Sequence, residues 1–233
     1  RIFDFVLDTA PRQTQINLLL HSAYSYLCSA SPPVDAETTQ PMKREILSFI
    51  SFIAAATSWA QSAADYVNPF IGTSNYGATL PGPSVPMGMA SMAPYNTFDM
   101  PGHKIHTDAG WCSTPYVYEN RYVAGFTNVN LSGVGCPDFG SLLLMPTTGE
   151  AIVEASEYCS ELSDQRAEAG YHSATVDRYG VLAEMTATER TTRSRYTYPA
   201  GTSNILFNIG LGLTNESGGM VRIVSEREIE GFR

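Results

Sequence analysis

FTNVNLSGVGCPDFGSLLLMPTTG, residues 126–149, decides how the rest of the chain reads. It opens as an extended run and passes through a glycine-rich corner, Ser132 to Gly140. It resumes as an apolar strand, Ser141 to Met145, that stops at Pro146. Two familiar readings of such a corner fail. A dinucleotide fingerprint needs G-x-G-x-x-G opening a helix. Here Asp138 stands where the third glycine belongs, and a strand follows. A nucleophile elbow needs G-x-S-x-G, but Asn130 precedes Ser132 where glycine is required. On spacing alone, the stretch is a tight connection between two buried strands. Its glycines permit positive φ and Pro137 stiffens the bend.

Working outward, the 233 residues suffice for one domain with a proper core. A hydrophobic content of 43% against 16% charged residues is that of a packed protein, not a disordered one. With 19 glycines, 14 prolines and 13 tyrosines, turns and strands are favoured over long helices. The net charge of -9 argues against a nucleic-acid partner. The cysteines, at positions 28, 112, 136 and 159, fit no paired zinc spacing.

Residues 1–41 read as an upstream extension that nothing downstream needs. Met42 opens a secretion signal: Lys43 and Arg44, an apolar core from Ile46 to Ala56, and a small-x-small site at Ser58-Trp59-Ala60. The apolar run is too short for a membrane span. The expected layout is therefore an extension over 1–41, a signal peptide over 42–60, a leader over 61–65 and a domain over 66–233. A genuine N-terminal extension with a short buried helix over 43–60 is the alternative. The product is expected to be secreted or periplasmic.

Within the domain, Tyr66 to Ile71 is a candidate first strand. Tyr95 to Tyr122 is rich in aromatic residues, which either stack on sugar faces or pack in a β-sandwich with their hydroxyls at the rim. Trp111, in the polar, glycine-flanked Asp108-Ala109-Gly110-Trp111, is the member singled out for a sugar. His103 and His106 lie three apart, but Pro101-Gly102 argues against the helix that would make them a metal pair. Tyr171 to Val176 and Val181 to Tyr198 read as strands around a turn at 177–180. In the second, Leu182, Glu184 and Thr186 share one face, with Ala183 and Met185 on the other. Ser203 to Leu211 and Val221 to Ser225 continue the sheet. Glu157 to Ala169 is the one stretch that reads as helical.

The corner with LLLMPTTG resembles the N-terminal domain of glycoside hydrolase family 92, calcium-dependent exo-acting α-mannosidases. Tyr66-Val67-Asn68-Pro69-Phe70-Ile71-Gly72-Thr73, Leu80 to Met89, Gly170-Tyr171-His172-Ser173 and Tyr179 to Thr188 extend the likeness in family order to Arg233. The expected fold class is thus all-β and mainly antiparallel. It is a β-sandwich N-terminal domain, incomplete, with the family's (α/α)6 barrel missing from this chain. The resemblance implies an inverting mechanism, which needs a carboxyl acid and a carboxyl base. It places both on the barrel, with most ligands of a calcium ion that holds mannose hydroxyls. No catalytic and no metal residue is therefore expected here. The implied partners are mannose-containing glycans and the barrel of the same polypeptide. Trp111, Asp138, Gly135 and Cys136 are the candidate substrate-binding residues. Asp138 has a second reading, capping its own turn. A non-catalytic secreted carbohydrate-binding or adhesion sandwich is the competing function.

Overall fold

The computed structural model describes residues 3–6 and 62–233, except 76, 106–113, 132, 136 and 215–217. The extension, the signal peptide, His106, Trp111 and Cys136 thus lie outside the described residues, apart from the backbone of a short strand, β1 (Phe3–Val6). One compact unit comprises Ser62–Arg233 with Arg1–Phe5.

The fold is all-β and antiparallel. After a 3-10 turn at Ala63–Tyr66 come β2 (Ala93–Pro94), β3 (Tyr122–Val123), β4 (Phe126–Thr127), β5 (Val129–Asn130), β6 (Phe139–Ser141) and β7 (Leu143–Thr148). One helical turn, α1 (Ala155–Tyr158), precedes β8 (Ser160–Glu168), β9 (Tyr171–Val176), β10 (Val181–Ala187), β11 (Thr192–Thr197), β12 (Ser203–Asn208), β13 (Met220–Ser225) and β14 (Glu228–Phe232). A five-stranded sheet runs β11-β10-β9-β8-β3 and a four-stranded sheet runs β12-β7-β4-β2. A β5-β6 ribbon and a β1-β14-β13 sheet complete the set.

The core forms where the two larger sheets turn their apolar faces inward. Val176, Val181, Ala183 and Met185 come from the five-stranded sheet, and Phe126, Leu143 and Met145 from the four-stranded one. The alternation expected for β10 holds: Val181, Ala183 and Met185 are buried, whereas Leu182 and Thr186 are exposed. β7 breaks alternation because it is covered on both sides. Leu143 and Met145 enter the core, while Leu144 lines a cavity beneath the β13–β14 hairpin. A strand buried on both faces reads as an unbroken apolar run, which explains LLLM. Each such side chain contributes about 1.5–3 kcal/mol through burial. Several tyrosines pack with their hydroxyls bonded inside. The Tyr95 hydroxyl donates to the Gly212 carbonyl at 3.0 Å, and that of Tyr179 to the Tyr158 carbonyl at 2.9 Å.

Four elements differ from the sequence reading. Tyr66–Ile71 is not a strand. It is a 3-10 turn followed by tight turns, in which the Asn68 side chain accepts the Phe70 N–H at 3.0 Å. Glu157–Ala169 is not a helix: after α1 it is strand β8, antiparallel to β9. A register shift between Ser163 and Arg166, with Asp164 at φ 49°, interrupts its period-two pattern. Val181–Tyr198 is two strands, because Thr188 and Thr191 bond each other and close a hairpin. β7 runs through Pro146 to Thr148. β4 pairs with it only at Leu144. Pro146 therefore lies where one side of β7 has no strand beside it, the setting in which a strand tolerates proline.

Candidate functional site

The glycine corner is held by asparagines from the strand before it. Asn128 Nδ2 donates to the Leu142 carbonyl at 2.7 Å, and Asn128 Oδ1 accepts the Thr192 hydroxyl at 2.6 Å. Asn130 Nδ2 donates to the Ser91 carbonyl at 2.9 Å. These amides replace a regular ladder and free the chain between them to bend sharply. The bend is strained. Phe139, Gly140 and Leu142 all have positive φ, at 62°, 61° and 58°. For Phe139 and Leu142 this is an uncommon conformation, held only because the surroundings dictate it.

The corner's glycines divide into two kinds. At Gly140 an added Cβ would meet Leu213 Cγ at 2.9 Å and Pro115 Cβ at 3.3 Å, so a close approach inside the domain requires glycine there. At Gly133 and Gly135 an added Cβ meets nothing within 4 Å. Those two glycines face open space, beside an exposed Val134. Gly133 is nonetheless fixed, since its N–H donates to the Ala78 carbonyl at 3.0 Å.

Asp138, the candidate site carboxylate, accepts the Phe139 N–H at 2.7 Å and the Thr214 hydroxyl at 3.3 Å through the same oxygen. This is the turn-capping role. Its other oxygen makes no hydrogen bond among those described. Gly135 thus stands in the corner with Asp138, while Cys136 between them and Trp111 lie outside the described residues.

The turns at 66–80 and the 114–120 stretch adjoin the corner. Thr114 donates its hydroxyl to the Thr79 carbonyl at 3.2 Å, and the Tyr118 N–H reaches the Thr73 carbonyl at 3.0 Å. Both carboxylate oxygens of Glu119 accept the Asn75 N–H at 3.2 Å. Lys104 Nζ donates to Asn75 Oδ1 at 3.1 Å. The Phe70 ring meets Tyr118 edge-on at 6.1 Å and His172 at 6.3 Å. The aromatic run accordingly splits. Tyr95, Phe98 and Tyr116 are core, and burial pushes the hydroxyls of Tyr95 and Tyr116 up to about 12. Tyr118 is 57% exposed.

His103 is a packing residue. Its Nε2 accepts the Tyr122 N–H at 3.2 Å, its ring lies edge-on to Phe98, and burial lowers its pKa. Among the described residues no group of His, Cys, Asp or Glu side chains comes together to hold a metal ion.

The cavity beneath β13–β14 measures about 510 Å³ and is lined mainly by apolar residues, Leu144, Phe207, Ile209 and Phe232 among them. Its one carboxylate, Glu230, is paired with Arg222. Asn96, Asn120, Asn128 and Asn130, which tie the loops together, escape sequence reasoning. Their only signal is a polar amide recurring beside apolar positions.

A family profile described as the glycosyl hydrolase family 92 N-terminal domain matches residues 66–233. The chain is 31% identical to a solved family GH92 alpha-mannosidase from Bacteroides thetaiotaomicron in complex with mannoimidazole, with a TM-score of 0.64. That match covers 72% of this chain and 22% of the other. The gh92 family glycosyl hydrolase ccman5 is 28% identical, with a TM-score of 0.58, over 69% of this chain and 22% of its own. The chain therefore spans less than a quarter of the length of either. No curated protein sequence matches it.

Proposed function

The chain belongs to glycosyl hydrolase family 92, with residues 66–233 as the N-terminal domain, and from that premise we propose that it builds one wall of the substrate pocket of a secreted, calcium-dependent, inverting exo-α-mannosidase. The observation that carries this reading is the glycine corner. Gly133, held by the bond from its N–H to the Ala78 carbonyl, and Gly135 both face open space, as suits a surface that receives a sugar or a second domain. On this reading Trp111 supplies the flat face for a sugar ring, and Gly135, Cys136 and Asp138 are the other substrate-binding residues. The substrates are α-mannosides of N-glycan or mannan type. The acid, the base and most calcium ligands come, on this reading, from a helical barrel of the same polypeptide, as the family resemblance implies. Calcium, when bound, would orient the mannose hydroxyls; the residues described here position the sugar and move no proton. Secretion rests on the signal pattern over Met42–Ala60. No helix among the described residues is long and apolar enough to cross a membrane.

The test is a pair of purified proteins. Residues 61–233 alone should release no mannose from any α-mannoside, with or without calcium. The full-length parent should release it and lose activity on treatment with EDTA. Turnover by the isolated domain overturns the division of labour. A parent that binds mannosides but never cleaves them makes the domain part of a carbohydrate-binding protein.

A further inference from the structure

His172 shares one face of β9 with Ala174 and Val176, and all three are fully buried. Neither of its ring nitrogens meets a hydrogen-bond partner among the described residues. Strands hold its backbone on both sides, since β9 pairs at His172 with Met185 of β10 and Ala167 of β8. The carboxylates next to those two residues belong to the other face of the sheet and are engaged there. Glu184 accepts the Tyr171 hydroxyl at 2.9 Å and binds Arg195 through both oxygens, and Glu168 binds Arg166. The 114–120 stretch brings three more titratable groups. Tyr116 donates to Gln165 on β8 at 3.4 Å, Tyr118 stands edge-on to Phe70, and Glu119 accepts the Asn75 N–H and pairs with Lys104. None of them bonds His172.

The turn that covers the ring, Asn68-Pro69-Phe70-Ile71-Gly72, carries no charge. The Phe70 ring meets His172 edge-on at 6.3 Å, yet Phe70 is itself only half-buried, and Ile71 beside it is 74% exposed. The turn belongs to no sheet, and its bonds are mostly to itself. The Phe70 N–H donates to the Asn68 side chain at 3.0 Å, the Ile71 N–H to the Asn68 carbonyl at 3.1 Å, and the Thr73 hydroxyl to the Phe70 carbonyl at 2.8 Å. The Thr79 hydroxyl adds a bond to the Ile71 carbonyl at 3.0 Å. Thr73 is buried and accepts the Tyr118 N–H, so it anchors the far end, and Gly72, at φ 84°, joins that anchor to the turn. A buried imidazolium without an acceptor is far costlier than a neutral ring. It is relieved either by unpairing β9 from both neighbours or by lifting Phe70 to admit water. The second route breaks far fewer bonds.

We propose that residues 68–72 form an acid-operated latch: when His172 takes up a proton, the Phe70 ring swings out about Gly72, water reaches the imidazolium, and the sheet beneath stays paired. The open state gains as the pH falls from 6.5, the ordinary value for histidine, towards about 4, where the covered ring itself binds a proton. Hydrogen exchange of the full-length parent, read by mass spectrometry on the peptide spanning 68–73, tests this. Corrected for the intrinsic rate, exchange there should quicken about fiftyfold between pH 7 and pH 4.5. It should run ahead of β7 at both values and be unaltered by low urea, as local openings are. In His172→Leu the acceleration should vanish. Phe70→Ala, with His172 intact, carries the test if the leucine variant does not fold. Diethyl pyrocarbonate should modify its His172 about tenfold faster, or more, than in the parent at pH 7. A turn that exchanges in step with β7 overturns the latch, because His172 then charges only when the whole domain unfolds. So does an acceleration that persists in His172→Leu, or an unchanged modification rate in Phe70→Ala.

Discussion

Trp111→Ala in the full-length parent should lower kcat/KM for α-mannosides by roughly tenfold to a hundredfold, with the fold and the calcium requirement intact. The size follows from the lost stacking surface and pocket shape, on the order of 1–3 kcal/mol of transition-state binding. Such a loss is expected if, as proposed, the domain's contribution is to hold the sugar in place. Asp138 sets the contrast. Its carboxylate accepts the Phe139 N–H and the Thr214 hydroxyl and so caps the bend; Asp138→Ala is expected to act chiefly through stability. Melting temperature and turnover measured on one preparation decide the matter. A lowered melting temperature with unchanged kcat/KM would move Trp111 from the pocket into the core.

Acid should destabilise the domain through one residue. His172 is fully buried, and neither ring nitrogen has a hydrogen-bond partner among the described residues. Opposite it in the sheet stand Met185 on β10 and Ala167 on β8, and the Phe70 ring covers it edge-on. Burial is the only influence on its titration and pushes its pKa from 6.5 down to about 4. The unfolded chain therefore binds a proton more readily than the fold does. The neutral imidazole's share of stability is whole above pH 6.5 and drains away as the pH falls towards 4. The full loss is roughly 3 kcal/mol. Urea unfolding of the parent and of His172→Leu, at pH 7 and pH 4.5, isolates it from the carboxylates that titrate in both. The parent should lose about 2–3 kcal/mol more than the variant over that interval. Equal losses would show that His172 finds a partner for its proton.

The sequence disclosed some of this structure and hid the rest, for physical reasons. Fully covered strands speak clearly. The run from Leu142 to Met145 is apolar because β7 is sandwiched, and β10 alternates because one of its faces is wet. β8 spoke less clearly. Its residues SELSDQRAE are half-exposed and shifted in register, so their polar pattern imitates a weak helix. The turn at 188–191 was missed because threonines, not glycine or proline, close it. At the corner, Gly135 and Asp138 were legible as a pair near a sharp bend. The openness around Gly133 and Gly135, and the contact that makes Gly140 obligatory, depend on residues far away in the chain. The bonds that Asn96 and Asn120 make were illegible for the same reason: an amide's partner is fixed by three-dimensional proximity, not by spacing.

The pairing of β7 with β12 also bears on how the chain is made. Ser203 lies opposite Thr148, and Asn208 opposite Leu143, so the meander β8–β11 lies wholly between the two partners in sequence. Hairpins between successive strands close quickly, while a pairing that spans a long intervening segment waits on a costlier loop closure. On the ribosome, β7 emerges well before the strand that will pair with it. The edge of β7 that faces β12 must stay unpaired until Ser203–Asn208 has left the exit tunnel, and Leu144 stays uncovered until the β13–β14 hairpin follows; a nascent chain with such an edge and side chain exposed is a substrate for chaperones. The stretch that announces the fold is thus among the last to be sheltered by it.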